Sequence, residues 1–250
     1  MAEPASRVSY DSSSSMANAV APSSSAETLQ TLRRGIQILN VLCDAQRGLT
    51  VGEIASALRI HRTNTARLLT TLQADRLVIR DANGKFWLGP ALSRYALSVA
   101  PRMREVVLPE LRRLAEEFPV TGLLTVADGA EGVVLVVVEP ATTDFFVGIR
   151  AGSRHPLDSA AGGIVLLAAR EPNEADSEDV MRARKRGYAI SRGRINKGAL
   201  GVAAAVGSGP EWLEGSIGVV TLADLKPTML GAEVMAAAKR VSAVLSELRD

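Results

Sequence analysis

The chain has 250 residues, of which 47% are hydrophobic and 22% charged, a single cysteine, and a formal net charge of +2. That length supports one large domain or two small ones, and the balance is ordinary for a soluble globular protein. One cysteine excludes an internal disulfide, no apolar run reaches the roughly 18 residues of a membrane span, and the first residues lack the basic-then-apolar order of a leader, so the expectation is a cytoplasmic protein with Cys43 as a buried thiol and no membrane partner.

In chain order, residues 1–27 hold Ser12–Ser15, Ser23–Ser25, Pro4 and Pro22 with little to bury, which predicts a disordered tail. Leu32, Ile36, Leu39 and Leu42 then recur at helical spacing and predict an amphipathic helix over Thr28–Cys43, ending near Gly48. Thr50-Val51-Gly52-Glu53 has the spacing of a capping box, opening a second helix whose buried stripe is Val51, Ile54, Ala55 and Leu58. After a very short connection, Leu68, Leu69 and Leu72, with Thr65 at the edge of the stripe, predict a third helix over Arg62–Gln73. Val78–Arg80 and Lys85–Leu88 flank Ala82-Asn83-Gly84, a hairpin signal in which both Asn83 and Gly84 tolerate positive φ; Phe86 and Leu88 are expected inward and Trp87 outward. Three helices and a hairpin make residues 28–90 a winged helix-turn-helix, closed by Gly89-Pro90.

Residues 91–117 read as linker helices, Ala91–Ala100 and Met103–Glu117, broken near Pro101 and bent at Pro109, with Val107, Leu111 and Leu114 on one face. From Gly122 the pattern turns to strands in GLLTVAD, GVVLVVVE and FFVGIR, followed by helices at Ala160–Arg170 and Ala175–Arg186, strands in GVAAAV and SIGVVTL, and a closing helix over Ala232–Leu248. Residues 118–250 are therefore an α+β domain.

Charge separates the two halves. Residues 28–90 carry nine basic and four acidic side chains, a balance of +5, so the remainder sums to −3. A basic first unit points to a polyanion partner for that unit alone. On the third helix, with the leucines directed at the core, Asn64, Arg67 and Thr71 fall on an outward face and Arg62 and Thr63 project from the first turn. Asn pairs with adenine, Arg with guanine or phosphate, and a Thr methyl with the thymine methyl; short side chains in a weakly helix-forming first turn let the axis approach the base edges. The other reading is a solvated polar face. Arg80 and Lys85 on the hairpin suit phosphate, or are exposed charge without contact. His61 enters the third helix either packing the turn or lying beside phosphate, and nothing near it suggests a metal.

TLQTLRRGIQILNVL, LTVGEIASALRIHRTNTARLLTTL and GKFWLGPAL resemble the first helix, helix-turn-helix and wing of IclR-type transcriptional regulators. AGSRHPLDSAAGGIVLLA, RGYA and KGALGVAAAV resemble the blocks around that family's small-molecule pocket, so the resemblance covers roughly residues 28–250. It implies a GAF-like effector-binding and oligomerisation domain over 118–250, a homodimer or homotetramer, and a repressor on double-stranded DNA with a near-palindromic operator, modulated by a small carboxylate or aromatic metabolite; no cofactor is implied. Gly201 stands where the family often has a polar or sulfur-bearing residue, Gly218 where it often has Ser, and Gly163 where Lys is frequent. Lost side chains leave space and remove anchors, so either the ligand is bulkier than a small keto acid or the pocket no longer responds and the domain only oligomerises.

Other groups could hold an anion. Ser153, Arg154 and His155 precede Asp158 and Ser159, where the helix from Ala160 offers free amides, and Arg192 and Arg194 follow a strand over Tyr188–Ser191. With Gly201 and Gly218 these are the expected effector contacts; the plainer readings are a solvated basic loop, and Asp158 or Ser159 as a helix cap. A hydrolase built on Ser153, His155 and Asp158 is rejected, because residues so close on one loop rarely converge as a triad and no nucleophile-elbow or zinc spacing supports it.

Overall fold

The computed structural model describes residues 29–140, 147–207 and 213–248, so the expected N-terminal tail and Phe145-Phe146 of the FFVGIR segment lie outside the described residues. The chain divides into two units, one ending at Ala100 and the other beginning at Pro101, so that the two expected linker helices fall in different units.

The first unit runs α1 (Gln30–Ala45), α2 (Val51–Leu58), α3 (Arg62–Ala74), β1 (Val78–Arg80), β2 (Phe86–Leu88) and α4 (Ala91–Leu97). Ile38, Leu42, Leu49, Ile54, Leu69, Val78 and Phe86 form its core, each large aliphatic chain contributing about 1.5–3 kcal/mol on burial. α2 opens on the expected capping box: the Thr50 hydroxyl accepts from the Glu53 amide and the Glu53 carboxylate accepts from the Thr50 amide at 2.7 Å. It closes at Arg59, whose left-handed φ of 53° lets its amide and that of Ile60 reach back to carbonyls of the last turn. Residues 59–61 are thus the whole turn into α3, as a helix-turn-helix requires. Leu49 exchanges both backbone hydrogen bonds with Phe86, fastening the start of α2 to the hairpin.

Three expectations for this unit need correction. α1 buries Gly35, Ile38 and Leu42, whereas Leu32 and Ile36 are 63% and 51% exposed. The helix is apolar on two faces, and the core takes the one containing Ile38. Cys43, one position beyond Leu42 and so rotated about 100° from it, is exposed rather than buried. In the hairpin only Gly84 has positive φ (78°). The turn is a longer loop organised by Asp81, whose carboxylate accepts from the Asn83 and Lys85 amides at 2.9 Å each.

The second unit runs α5 (Pro101–Glu117), β3 (Thr121–Asp128), β4 (Glu131–Val138), β5 (Arg154–Pro156), α6 (Ala161–Ala169), α7 (Glu178–Arg186), β6 (Ala189–Arg192), β7 (Leu200–Val206), β8 (Gly215–Thr221) and α8 (Pro227–Glu247). Its six strands form one antiparallel sheet in the order β5-β4-β3-β8-β7-β6. α5 and α8 cover one face, with Gly122 against Leu111 and Gly215 against Met103, and Val107, Leu111, Leu114, Ile217, Leu230 and Val234 buried. α6 lies on the other face, where the Ser216 hydroxyl donates to the Gly162 carbonyl at 3.0 Å.

α5 runs from Pro101 through Pro109, and α8 starts at Pro227, five residues before the expected boundary, with proline in its first turn. Val147–Arg150, the described part of FFVGIR, is not a strand. The strand β5 instead lies in the segment expected to be a loop, held by its pairing to β4 at Gly132 and Val133.

Candidate nucleic-acid interface and ligand cavity

α3 divides lengthwise by burial. Thr65 and Leu69 are fully buried, and the Thr65 hydroxyl, otherwise an unpaired polar group in the core, donates to the His61 carbonyl at 3.2 Å. Arg62, Thr63, Asn64, Arg67 and Thr71 are all exposed. His61 is the residue preceding the helix and makes no side-chain cap, so the first-turn amides of α3 are left for an external acceptor. Thr71 donates to the Arg67 carbonyl at 3.3 Å, which leaves its methyl on the outer face.

On the hairpin, Phe86 is buried and Trp87 is 40% exposed, as alternation predicts. The Trp87 indole donates to the second Asp81 carboxylate oxygen at 2.9 Å and covers Gly48, where a Cβ would come within 2.5 Å of the ring. Those hydrogen bonds, the indole first, hold the Asp81 carboxyl below its usual range. Arg80 spends part of its guanidinium on the hairpin, donating to the Gly84 carbonyl at 3.3 Å and lying 5.5 Å from the Phe86 ring centre. Lys85 is half-buried at the stem of the loop.

In the second unit a cavity of about 90 Å³ opens between the sheet and the start of α6. By the measure in which one water needs some 10–15 Å³, that is room for roughly six to nine waters, the scale of a small organic molecule. Of the expected effector residues, His155, Ala160, Arg194, Gly201 and Gly218 line it, whereas Ser153, Arg154, Asp158, Ser159 and Arg192 do not. Arg154 faces away: it pairs with Asp128 at 2.6 Å and Glu131 at 2.8 Å. Ser159 donates to the Pro156 carbonyl, and the residue preceding α6 is Ala160, which makes no side-chain cap, so neither Asp158 nor Ser159 caps that helix. Arg194 is tethered to the Asp179 carboxylate and the Asp158 carbonyl. His155 is largely buried, and burial pushes its pKa down from the usual histidine value, so the imidazole is neutral at neutral pH. Among the described residues no hydrogen bond joins Ser153, His155 and Asp158.

The glycines do not leave space. A Cβ on Gly201 would lie 2.7 Å from the Ser191 hydroxyl, one on Gly218 would lie 3.0 Å from the Ala203 Cβ, and one on Gly163 would overlap the Leu157 backbone. Neighbours have moved in, so position 163 has no room for any side chain. Two groups absent from the sequence reading matter here. Ser191 reaches across from β6 to accept the Ala161 amide at 3.2 Å, capping α6 from outside. Thr125, nine-tenths buried, lines the cavity with a hydroxyl that has no partner among the described residues. Only the strand alternation of GLLTVAD could have placed it inward.

Residues 31–82 match the family model for the IclR helix-turn-helix domain. The transcriptional regulator Rv1719 of Mycobacterium tuberculosis is 32% identical over 58% of this chain, a match that spans 56% of that relative, about half its length. The transcriptional repressor IclR of Escherichia coli is 23% identical over 92% of this chain and 95% of its own. In fold, the chain is similar to an IclR regulator from Alicyclobacillus acidocaldarius (TM-score 0.74, 21% identity, 89% of this chain and 100% of that one). It is also similar to an IclR homologue from Microbacterium hydrocarbonoxydans solved with 4-hydroxybenzoate (TM-score 0.76, 20% identity, 87% and 99%). The curated relatives are regulators and not enzymes, which agrees with rejecting the hydrolase reading. Winged helix-turn-helix, α+β second unit and family match agree: residues 31–82 carry an IclR helix-turn-helix domain, and the chain as a whole is similar to regulators of the IclR family.

Proposed function

We propose that the protein binds operator DNA through α3 and the β1–β2 hairpin and releases it, as a repressor does, when a small carboxylate or aromatic molecule fills the cavity beside α6. The observation that carries this reading is the face of α3: five exposed residues, Arg62, Thr63, Asn64, Arg67 and Thr71, that can bond base edges or phosphate, at a helix whose first-turn amides are uncapped. The division of labour is residues 28–90 for DNA, 91–117 as linker, and 118–250 as a GAF-like domain for effector and self-association. A two-fold homodimer, alone or paired as a tetramer, gives a near-palindromic operator.

The first-turn amides of α6 beyond that of Ala161, which Ser191 takes, lie beside the Thr125 hydroxyl and are suited to a carboxylate, and 4-hydroxybenzoate, bound by the Microbacterium homologue, combines both ligand classes. The test is retention of the chain's own upstream DNA, mapped by footprinting, with and without a panel of carboxylates and aromatics. A protected, near-palindromic site that is lost with one compound supports the reading. Protection that no compound alters, with no thermal shift, reduces the second unit to oligomerisation, since a ligand moves an equilibrium only by binding its states unequally.

A further inference from the structure

Gly132 on β4 sits between two polar side chains. It pairs with His155 of β5, and its missing Cβ would touch the Thr125 methyl at 3.1 Å. Cross-strand partners direct their side chains to the same face, so His155, Gly132 and Thr125 share the cavity side of the sheet, and all three line the cavity. With no side chain at position 132, the cavity keeps open the space beside the Thr125 methyl and a Leu157 methyl, and the start of α6 stands over it, with the Thr125 hydroxyl 3.0 Å from where a Cβ on Gly162 would lie.

The cavity's charged groups are few. Among the described residues lining it, only His155 and Arg194 are ionisable, and no carboxylate lines it. Arg194 is already committed to Asp179 and the Asp158 carbonyl. α6 brings no charged side chain, its sequence being AGGIVLLAA. On β4, Glu131 is the nearby acid and favours the charged imidazole; it and Asp128 of β3 are paired with Arg154, the charged residue of β5 itself. Arg192 on β6 is exposed and does not line the cavity. His155 is therefore the one lining group whose charge is free to change.

We propose that the cavity binds a monoanion together with a proton taken up by His155, so that effector affinity rises as pH falls. Burial in the cavity wall disfavours the imidazolium and lowers the His155 pKa, so without a counter-charge the imidazole is neutral. An anion anchored at Thr125 and at the α6 first-turn amides beyond that of Ala161 supplies the missing counter-charge, which raises the affinity of His155 for a proton; linkage then makes the proton and the anion bind together. A neutral ligand of the same shape takes up no proton. This inference rests on the ligand-cavity reading above and adds the charge of the ligand and the pH response.

The experiment is calorimetric titration of the full chain with benzoate and with benzamide, in two buffers of different ionisation enthalpy, between about pH 6 and pH 8. Benzoate is expected to bind with proton uptake and to weaken by up to about tenfold per pH unit on the alkaline side, whereas benzamide binds without either effect. In His155→Gln the proton uptake disappears while benzoate still binds, and in Arg194→Gln the uptake stays. Benzoate binding with no uptake, or uptake that survives in His155→Gln, overturns the role of His155 and leaves the cavity reading standing. If neither probe binds at millimolar concentration, the inference falls together with the cavity's ability to hold a ligand of this size.

Discussion

The Ser191 hydroxyl stands 2.7 Å from the point a Cβ on Gly201 would occupy, and from there it accepts the Ala161 amide. The glycine is what allows a residue on β6 to cap a helix that its own flanking residues leave open. Gly201→Ser should therefore displace Ser191 and uncap α6, with a loss of about 1 kcal/mol for the cap and more for the crowding. Ser191→Gly should cost a similar amount alone, and the double variant should recover part of it. Thermal unfolding of the four proteins in a double-mutant cycle reads the coupling; strictly additive losses would mean the two positions do not share that space.

On DNA, α3 and the hairpin should behave differently. Arg67→Ala removes a side chain from the face proposed to read bases, so binding to the mapped operator should weaken by about 1–3 kcal/mol with relaxed sequence preference. Lys85→Ala should weaken operator and random DNA alike and reduce the salt dependence by about one phosphate contact. Fluorescence anisotropy over a salt series separates them: an unchanged operator affinity in Arg67→Ala removes it from base reading, and an unchanged salt slope in Lys85→Ala removes it from phosphate.

The capping box has a pH signature. Hydrogen bonds from the Thr50 amide and the Arg47 guanidinium, with the Thr50 hydroxyl, hold the Glu53 carboxyl at about 2 against an ordinary value of 4.5. Because the folded value is the lower one, the stabilisation is fully present above the unfolded pKa and is lost as pH falls from about 4.5 toward 2. Helical circular dichroism of the first unit is expected to weaken over that window. Glu53→Gln keeps the geometry of the box without the charge, so its helicity should depend less on pH there; a profile identical to that of the unaltered chain would assign the transition to another carboxylate.

How far the sequence carried depends on whether the controlling partner is local. The capping box, α3 and its outward polar face involve residues within a turn or two of one another, and all were legible. Face choice on α1 was not: Leu32, Ile36 and Leu39 are as good an apolar stripe as Gly35, Ile38 and Leu42, and only the packing of Ile54, Leu69 and Phe86 decides between them. β5 was missed because three residues carry no period; its pairing with β4 defines it. The glycines misled most. A sequence records that Gly163, Gly201 and Gly218 lack side chains, but not that Leu157, Ser191 and Ala203 already fill the room, which depends on contacts from elsewhere in the unit. Thr125 and Ser191 escaped notice for the same reason, since their hydroxyls matter only where β3 and β6 meet α6.

The hairpin offers a direct optical test of its own organisation. Asp81 uses one carboxylate oxygen for the Asn83 and Lys85 amides and the other for the Trp87 indole, and these bonds lower its pKa. Protonation at low pH costs the indole its charged acceptor, so Trp87 fluorescence should change as pH falls, with a midpoint below the ordinary aspartate value of about 3.9. The sign follows from the lowered folded pKa: the order that Asp81 imposes on the loop is complete above the unfolded value and is lost on acidification through the folded one. Trp212→Phe isolates the signal from the second tryptophan, and Asp81→Asn should abolish the transition. Because the same carboxylate fixes the amide of Lys85, Asp81→Asn should also weaken binding to random DNA at neutral pH by less than removal of Lys85 itself; a transition that persists in Asp81→Asn would show that the indole reports a different carboxylate.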